Sequence, residues 1–390
     1  MMISIIVPMF HGKKYLDSIL NQAALCAEAV AETDVELILY NDSPEEEICV
    51  KEAEYPFQVK CFHSEYNSGI HGARVHGLEQ AAGEYVVFLD QDDRIAPSYL
   101  KKQLECIGAS DAVVCRAIHN NRLFYTNTHV FEKVITKDFM LRNRNPIISP
   151  GQVLLRKDAI PTLWKKCILQ NNGADDYFLW LLMVSEERTF SLNQEVLFEH
   201  VDTGMNTSGN TNNMMDSEAE MIGFLRERHV FGNECEKVLM ELSESLRRMH
   251  VRLLDNYKKI YDFLRCWNEK LAKGISPLAF FEENHIKRIA LYGAGDFGRN
   301  IEILLKNTDI RVCFYIDQNA EYVFSELPVY KKEEIREEAD AIIITIDDKS
   351  VRSELEKIVS CPVFEPNDIW LFLDRCCEGS AAESTCFGQA

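Results

Sequence analysis

Short apolar runs alternate with amphipathic stretches from the first residues onward: ISIIVP (3–8), a helical KKYLDSILNQAALCAEAV (13–30), VELILY (35–40), a helical ARVHGLEQAAG (73–83) and YVVFL (85–89). Runs that are apolar throughout suit strands covered on both faces, and their alternation with helices predicts the βαβ organisation of a mostly parallel sheet. Residues 110–200 are less regular. Strands are expected near AVVCRAI and QVLLR and a helix near DYFLWLLMV, completing one domain over residues 1–215.

From 216 to 280 the pattern predicts a helical connector. Apolar residues from Leu239 through Leu246, Leu253 and Leu264 to Leu271 recur at steps of three or four, a near-heptad stripe. Two uses of the stripe stand open: packing on a neighbouring domain, or self-association as a coiled coil that would make the protein a homo-oligomer. Gly274 and Pro277 break the helix. A second βαβ pattern (KRIALYGAGDFGRNIEILLKN, IRVCFYID, ADAIIITID) marks a small doubly wound domain over 285–375. The small, polar residues 377–390 predict a disordered tail.

With 390 residues the chain is long enough for two or three domains, and 46% apolar against 27% charged residues is the balance of a folded globular protein. A net charge of −20, from 62 acidic and 42 basic residues, argues against a nucleic-acid partner. A phosphorylated ligand would need local help from a cation, a helix N-terminus or placed basic side chains. The 13 cysteines contain no C-x-x-C pair and read as reduced thiols of a cytoplasmic protein. MMISIIVPMF lacks the features of a signal peptide, and no apolar run approaches the roughly 18 residues of a membrane span.

The chemistry concentrates in GEYVVFLDQDDRIAPSYL, where a buried strand ends in three carboxylates. Asp90 falls at the carboxyl end of the strand, the edge where open α/β sheets bind ligands. Asp92, two residues on, shares its face in extended chain. Paired carboxylates repel, and a hard divalent cation, Mg2+ or Mn2+, relieves the repulsion. Spacing alone leaves a second reading equally open, in which Asp92 and Asp93 cap the helix that begins near Pro97.

Residues 67–93, NSGIHGARVHGLEQAAGEYVVFLDQDD, resemble the N-x-G-x-x-x-A-R-N-x-G and A-x-G-E-Y-I-x-F-L-D-x-D-D segment of family 2 glycosyltransferases. ISIIVPMFHGKKYLDSIL is similar to that family's first strand and helix, VELILYNDSPEE to its second strand and acidic turn, and NGADDYFLWLL to its acidic catalytic segment. The resemblance covers only the first half of the chain. It implies a GT-A fold, a nucleotide-diphosphate sugar donor, and metal ligation by Asp90 and Asp92. Donor contacts would fall on Pro8, Phe10, Asn41, Asp42, Gly69, Arg74 and Asp90. It further implies inversion at the anomeric carbon, with Asp176 as general base and Asp175 beside it. His200 lies where family members carry a histidine or arginine near the diphosphate. It would be a third metal ligand or phosphate contact, or a loop histidine with no such role. The sequence departs from the family pattern at His11, Val75 and Ser43, which bears on nucleotide identity more than on the metal.

In the small domain, YGAGDFG places Gly293, Gly295 and Gly298 in G-x-G-x-x-G order between a strand and a helix, with Asp317 after the next strand. Such glycines let phosphate approach a helix N-terminus, and the acid can take ribose hydroxyls. This resembles the Rossmann-like nucleotide-binding domains of sugar acetyltransferases. Ligand-binding, structural and redox roles are all open for it.

The leading expectation is a cytoplasmic, metal-dependent inverting glycosyltransferase moving a sugar, from UDP most of all, to a glycan or lipid-linked glycan of a bacterial surface. Peripheral docking at the inner membrane face would accompany such an acceptor. The competing expectation is a non-catalytic nucleotide or nucleotide-sugar binding protein whose sensing element is the Gly-rich domain.

Overall fold

The computed structural model describes residues 1–384 apart from 31, 51–54, 56, 120, 121, 126, 127, 143, 144, 204–210, 319, 321, 322, 324 and 347. The chain divides into two compact units, Met1–His250 and Val251–Ala390.

In the first unit the all-apolar runs form the centre of a mixed sheet. β1 (Met2–Met9), β2 (Asp34–Asn41), β3 (Gln58–His63) and β4 (Tyr85–Phe88) are parallel, with β1 between β2 and β4 and β3 beyond β2. The remaining strands are β5 (Arg94–Ile95), β6 (Ala112–His119), β7 (Arg122–Leu123), β8 (Val153–Arg156) and β9 (Phe190–His200). The order is β3-β2-β1-β4-β8-β6-β9-β5, with β7 on β6. β8 is antiparallel to both β4 and β6, while β9 runs parallel to β6.

Period-2 alternation explains why these strands are apolar throughout. Ile5, Val7, Leu37, Leu39 and Val87 face α1 (Leu16–Ala29) and α3 (Tyr99–Ile107) in one core. Ile6, Ile38, Val86 and Phe88 face α2 (Gly69–Gln80), Trp164 and the helix Asp175–Ser185 in the other.

Three details differ from the sequence pattern. α2 begins at Gly69, four residues ahead of the amphipathic signal, because Gly69 adopts φ +74° and donates its N–H to Asn67 Oδ1 at 2.9 Å. It stops before Gly83, where a Cβ would lie 2.6 Å from the backbone nitrogen of Ser4. β3 and β9 carry no clean strand signal: β3 is a half-polar edge strand, and β9 shifts register against β6 at Arg116.

The second unit is a parallel sheet of β10 (Arg288–Tyr292), β11 (Arg311–Ile316), β12 (Val329–Tyr330), β13 (Ala341–Ile344) and β14 (Val363–Phe364). Its order, β12-β11-β10-β13-β14, reverses at β10. Both faces are covered, one around Leu291, Ile301 and Trp370, the other around Phe314, Ile344 and Val351.

The expected connector, 216–280, is divided between the two units. Its long helix, Cys235–Ala272, places Leu239, Leu242 and Leu246 in the core of the first unit and Phe263 and Trp267 in that of the second. The intervening Leu254, Tyr257 and Tyr261 are exposed, as is Leu271. The last helix, Pro366–Ser384, runs past Cys377, so the expected disordered tail is helical to Ser384, as its alanines and glutamate permit; 385–390 lie outside the described residues. Among the described residues no helix is long and apolar enough to cross a membrane.

Candidate functional site

The parallel strands β1, β2 and β4 end side by side, and their carboxyl-end turns are stitched together. Gln91 donates to the Phe10 carbonyl at 2.9 Å and accepts the Phe10 N–H at 3.0 Å. Ser43 Oγ accepts the His11 N–H at 2.7 Å. Pro8 is buried inside β1, whereas Phe10 is 46% exposed with its ring beside His11. Asn41 and Asp42, expected to face a nucleotide, are spent on local structure. The Asn41 amide donates to the Ser43 and Glu46 carbonyls, and Asp42 accepts from the Ser68 backbone and hydroxyl at 2.7–3.0 Å. Asp42 thereby fixes the loop that leads into Gly69 and α2.

The acidic turn does not cap α3, whose N-cap is Ser98. Asp93 is buried and accepts from Ser149 Oγ (3.0 Å), Val201 N–H (3.1 Å) and His200 Nδ1 (2.8 Å). A carboxylate accepts here, so Nδ1 carries the proton. Burial opposes the imidazolium of His200. The Asp93 hydrogen bond and the charges of Asp93, Asp90 and Asp92 more than reverse this, so His200 titrates above the usual histidine value. Asp92 is pushed up to about 6 by burial and by the charges of Asp90 and Asp93.

Arg74, on the buried face of α2, joins this turn to the acidic helix start. One guanidinium nitrogen pairs with Asp90, and the other donates to Asp175 Oδ2 at 2.5 Å. Burial disfavours the charge, but Asp175, Asp90 and Asp176 outweigh it and hold Arg74 protonated. Its Nε has no partner among the described residues. Arg74, expected to contact the donor, bridges two carboxylate segments. Gly69 sits where α2 meets Asn172, which accepts the Ile70 N–H at 3.0 Å. A Cβ at Gly69 would lie 2.8 Å from Asn172 Oδ1.

Asp175 and Asp176 open the helix Asp175–Ser185, where the helix dipole favours negative charge. Asp176 accepts the Tyr177 N–H at 2.6 Å and the Asn145 amide at 2.8 Å. Burial, with the Asp175 charge beside it, raises its carboxyl to about 7. Sequence reasoning missed Asn145, Asn172 and Asp93 as organising groups. It also missed His71, whose Nδ1 accepts the Leu169 N–H at 2.9 Å and whose Nε2 donates to the Trp164 carbonyl at 3.1 Å.

Asp90, Asp92 and His200 are not drawn together as a ready metal site: among the described residues no group of three His, Cys, Asp or Glu side chains is assembled for an ion. Asp90 is turned to Arg74 and the His200 Nδ1 to Asp93. The donor chemistry nonetheless suits a hard divalent cation. Burial and like charge make ionisation of the Asp92 carboxylate costly, and the His200 Nε2 is not engaged by Asp93.

In the second unit the Gly-rich turn is built as a close-packed corner. Gly293 has φ +106°, and a Cβ on Gly298 would lie 2.3 Å from the Gly293 carbonyl oxygen. Gly295 caps the helix Asp296–Leu305 in extended conformation. Asp317, expected on a ribose, accepts the Ala294 N–H at 3.1 Å and so braces the turn.

The sequence model of glycosyl transferase family 2 matches residues 4–164. An uncharacterized glycosyltransferase of Haemophilus influenzae is 29% identical over 206 residues, 51% of this chain and 76% of its own length. The poly(ribitol-phosphate) beta-N-acetylglucosaminyltransferase TarS of Staphylococcus aureus is 33% identical over 104 residues, 26% of this chain and 18% of its own length. A crystal structure of S. aureus TarS 1-349 in complex with UDP aligns at TM-score 0.46 and 19% identity, over 64% of this chain and 71% of that one. Residues 4–164 are therefore a glycosyl transferase family 2 domain, and the protein that carries them is a transferase.

Proposed function

We propose that the protein transfers a sugar from a nucleotide-diphosphate donor, UDP-linked, to a bacterial surface glycan, with inversion at the anomeric carbon. The observation that carries this reading is Asp176, a buried helix-start carboxyl raised to about 7 and linked through Asp175 and Arg74 to the acidic turn at the sheet's carboxyl edge. A base with that proton affinity takes a hydroxyl proton near neutral pH. The acceptor oxygen then attacks the anomeric carbon as its bond to the diphosphate breaks, and one displacement inverts the centre.

Phe10, exposed at the end of β1, supplies a face for the base. Arg74 holds Asp90 and Asp175 in place rather than reaching the donor itself. Asp90, Asp92 and His200 would hold a divalent cation, which when bound stabilises charge on the leaving diphosphate. The parallel order of β1 to β4, followed by antiparallel β8, supports a GT-A fold, and the strand order of the second unit supports a Rossmann-like domain. That the TarS relative is a poly(ribitol-phosphate) beta-N-acetylglucosaminyltransferase supports a polymeric acceptor.

The test is release of nucleoside diphosphate by the full chain from a panel of nucleotide sugars with Mn2+ and glycan acceptors. Asp176→Asn should slow release about 10²- to 10⁴-fold while calorimetric donor binding persists. Unchanged release in that variant overturns the assignment.

A further inference from the structure

We infer that Asp93 is a positioning residue that fixes the His200 imidazole with Nδ1 consumed, so that only Nε2 is left to bind the cation of the acidic turn. The inference rests on the metal dependence proposed above. Asp93 immediately follows Asp92, and His200 ends β9, 107 residues away from Asp93 in the chain. Strand pairing sets the His200 ring beside that of His119, 5.1 Å away, and the Nδ1 hydrogen bond to Asp93 decides which ring nitrogen is left open.

The Asp93 carboxylate is locked from every side. Oδ2 takes the Ser149 hydroxyl, Oδ1 takes both His200 Nδ1 and the Val201 N–H, and its own N–H donates to the Asp90 carbonyl at 3.1 Å. At 2% exposure it is no free ligand for a solvent-borne ion. It is a buried acceptor whose remaining capacity goes to the histidine. A ligand imidazole held by a carboxylate at its other nitrogen has a set tautomer and raised basicity, and losing such a partner costs roughly 10- to 100-fold in metal affinity. The turn D-x-D-D thus divides its labour: Asp90 and Asp92 are ligands, and Asp93 aims the third.

Mn2+ binding by the full chain, read by electron paramagnetic resonance without donor, tests this independently of turnover. Wild type should show 14N coupling that His200→Ala removes. Asp93→Asn should weaken Mn2+ about 10- to 100-fold, and Ser149→Ala, which loosens the carboxylate but keeps its histidine contact, should weaken it less. If Asp93→Asn fails to fold, Ser149→Ala and the wild-type 14N coupling decide alone. Unchanged affinity in the folded Asp93→Asn protein, or in Ser149→Ala where that variant stands alone, or Mn2+ bound by wild type without 14N coupling, overturns the positioning role only. A wild type that binds no Mn2+ overturns both this role and the metal dependence.

Discussion

Arg74 donates to Asp175 at 2.5 Å across 101 residues of chain, and both groups are buried. Because the same guanidinium also pairs with Asp90, removing it leaves two carboxylates without their counter-charge. Breaking a buried pair from one side costs about 3–5 kcal/mol, whereas removing both partners can be nearly neutral. Arg74→Met should therefore lower the urea midpoint sharply, and Arg74→Met/Asp175→Asn should recover much of the loss. If the double variant is no more stable than Arg74→Met, the pair is not what Arg74 contributes.

Asp176 makes the rate depend on pH in a stated direction. As the proposed base it acts in its ionised form, so kcat/KM should rise with pH and level off above about 7. Asn145 donates to the carboxylate and favours the ionised form, hence Asn145→Ala should move that limb to higher pH. Asp176→Asn should cost about 10²- to 10⁴-fold in kcat. Stability runs the other way: a carboxyl raised above its unfolded value of 3.8 contributes stability that is lost as pH rises toward 7. The melting temperature of Asp176→Asn relative to wild type should climb over that window.

What the sequence revealed and what it hid follow one physical line. Asp90, Asp92, Asp175 and Asp176 drew notice because they stand at short local spacings, and the fold does place them just past a strand end and at a helix start. Whether Asp93 caps a helix stayed open in the sequence because its partners, Ser149 and His200, are 56 and 107 residues away. Arg74 was legible as important, but its direction was not, since a donor contact and a buried double ion pair demand the same residue. Asn41, Asp42 and Asp317 show the same limit in reverse: each stands at a ligand-binding strand end yet satisfies backbone N–H groups or loop carbonyls there. β9 escaped notice because its register shift breaks the alternation that a strand is read from.

Gly69 gives a cleaner backbone test. At φ +74° an L-residue is strained by about 1–2 kcal/mol, and its Cβ would press on Asn172 Oδ1. Gly69→Ala should lose at least that much stability by chemical denaturation. Asn172→Ala placed on top of it should cost less than in wild type, because the clash it relieves is the one the alanine introduced.

His71 predicts acid sensitivity opposite in sign to that of Asp176. Burial is the main cause that lowers its titration below the ordinary histidine value of 6.5, so the folded protein holds it neutral between Trp164 and Leu169. A depressed histidine contributes stability that is present above 6.5 and lost as pH falls through its folded value. His71→Phe strands the Leu169 N–H and the Trp164 carbonyl, costing roughly 1–3 kcal/mol at pH 8. The same variant should lose less stability than wild type between pH 7.5 and about 5, because no imidazole remains to take a proton on unfolding. Parallel stability curves for the two proteins across that range would show that His71 is not the titrating group.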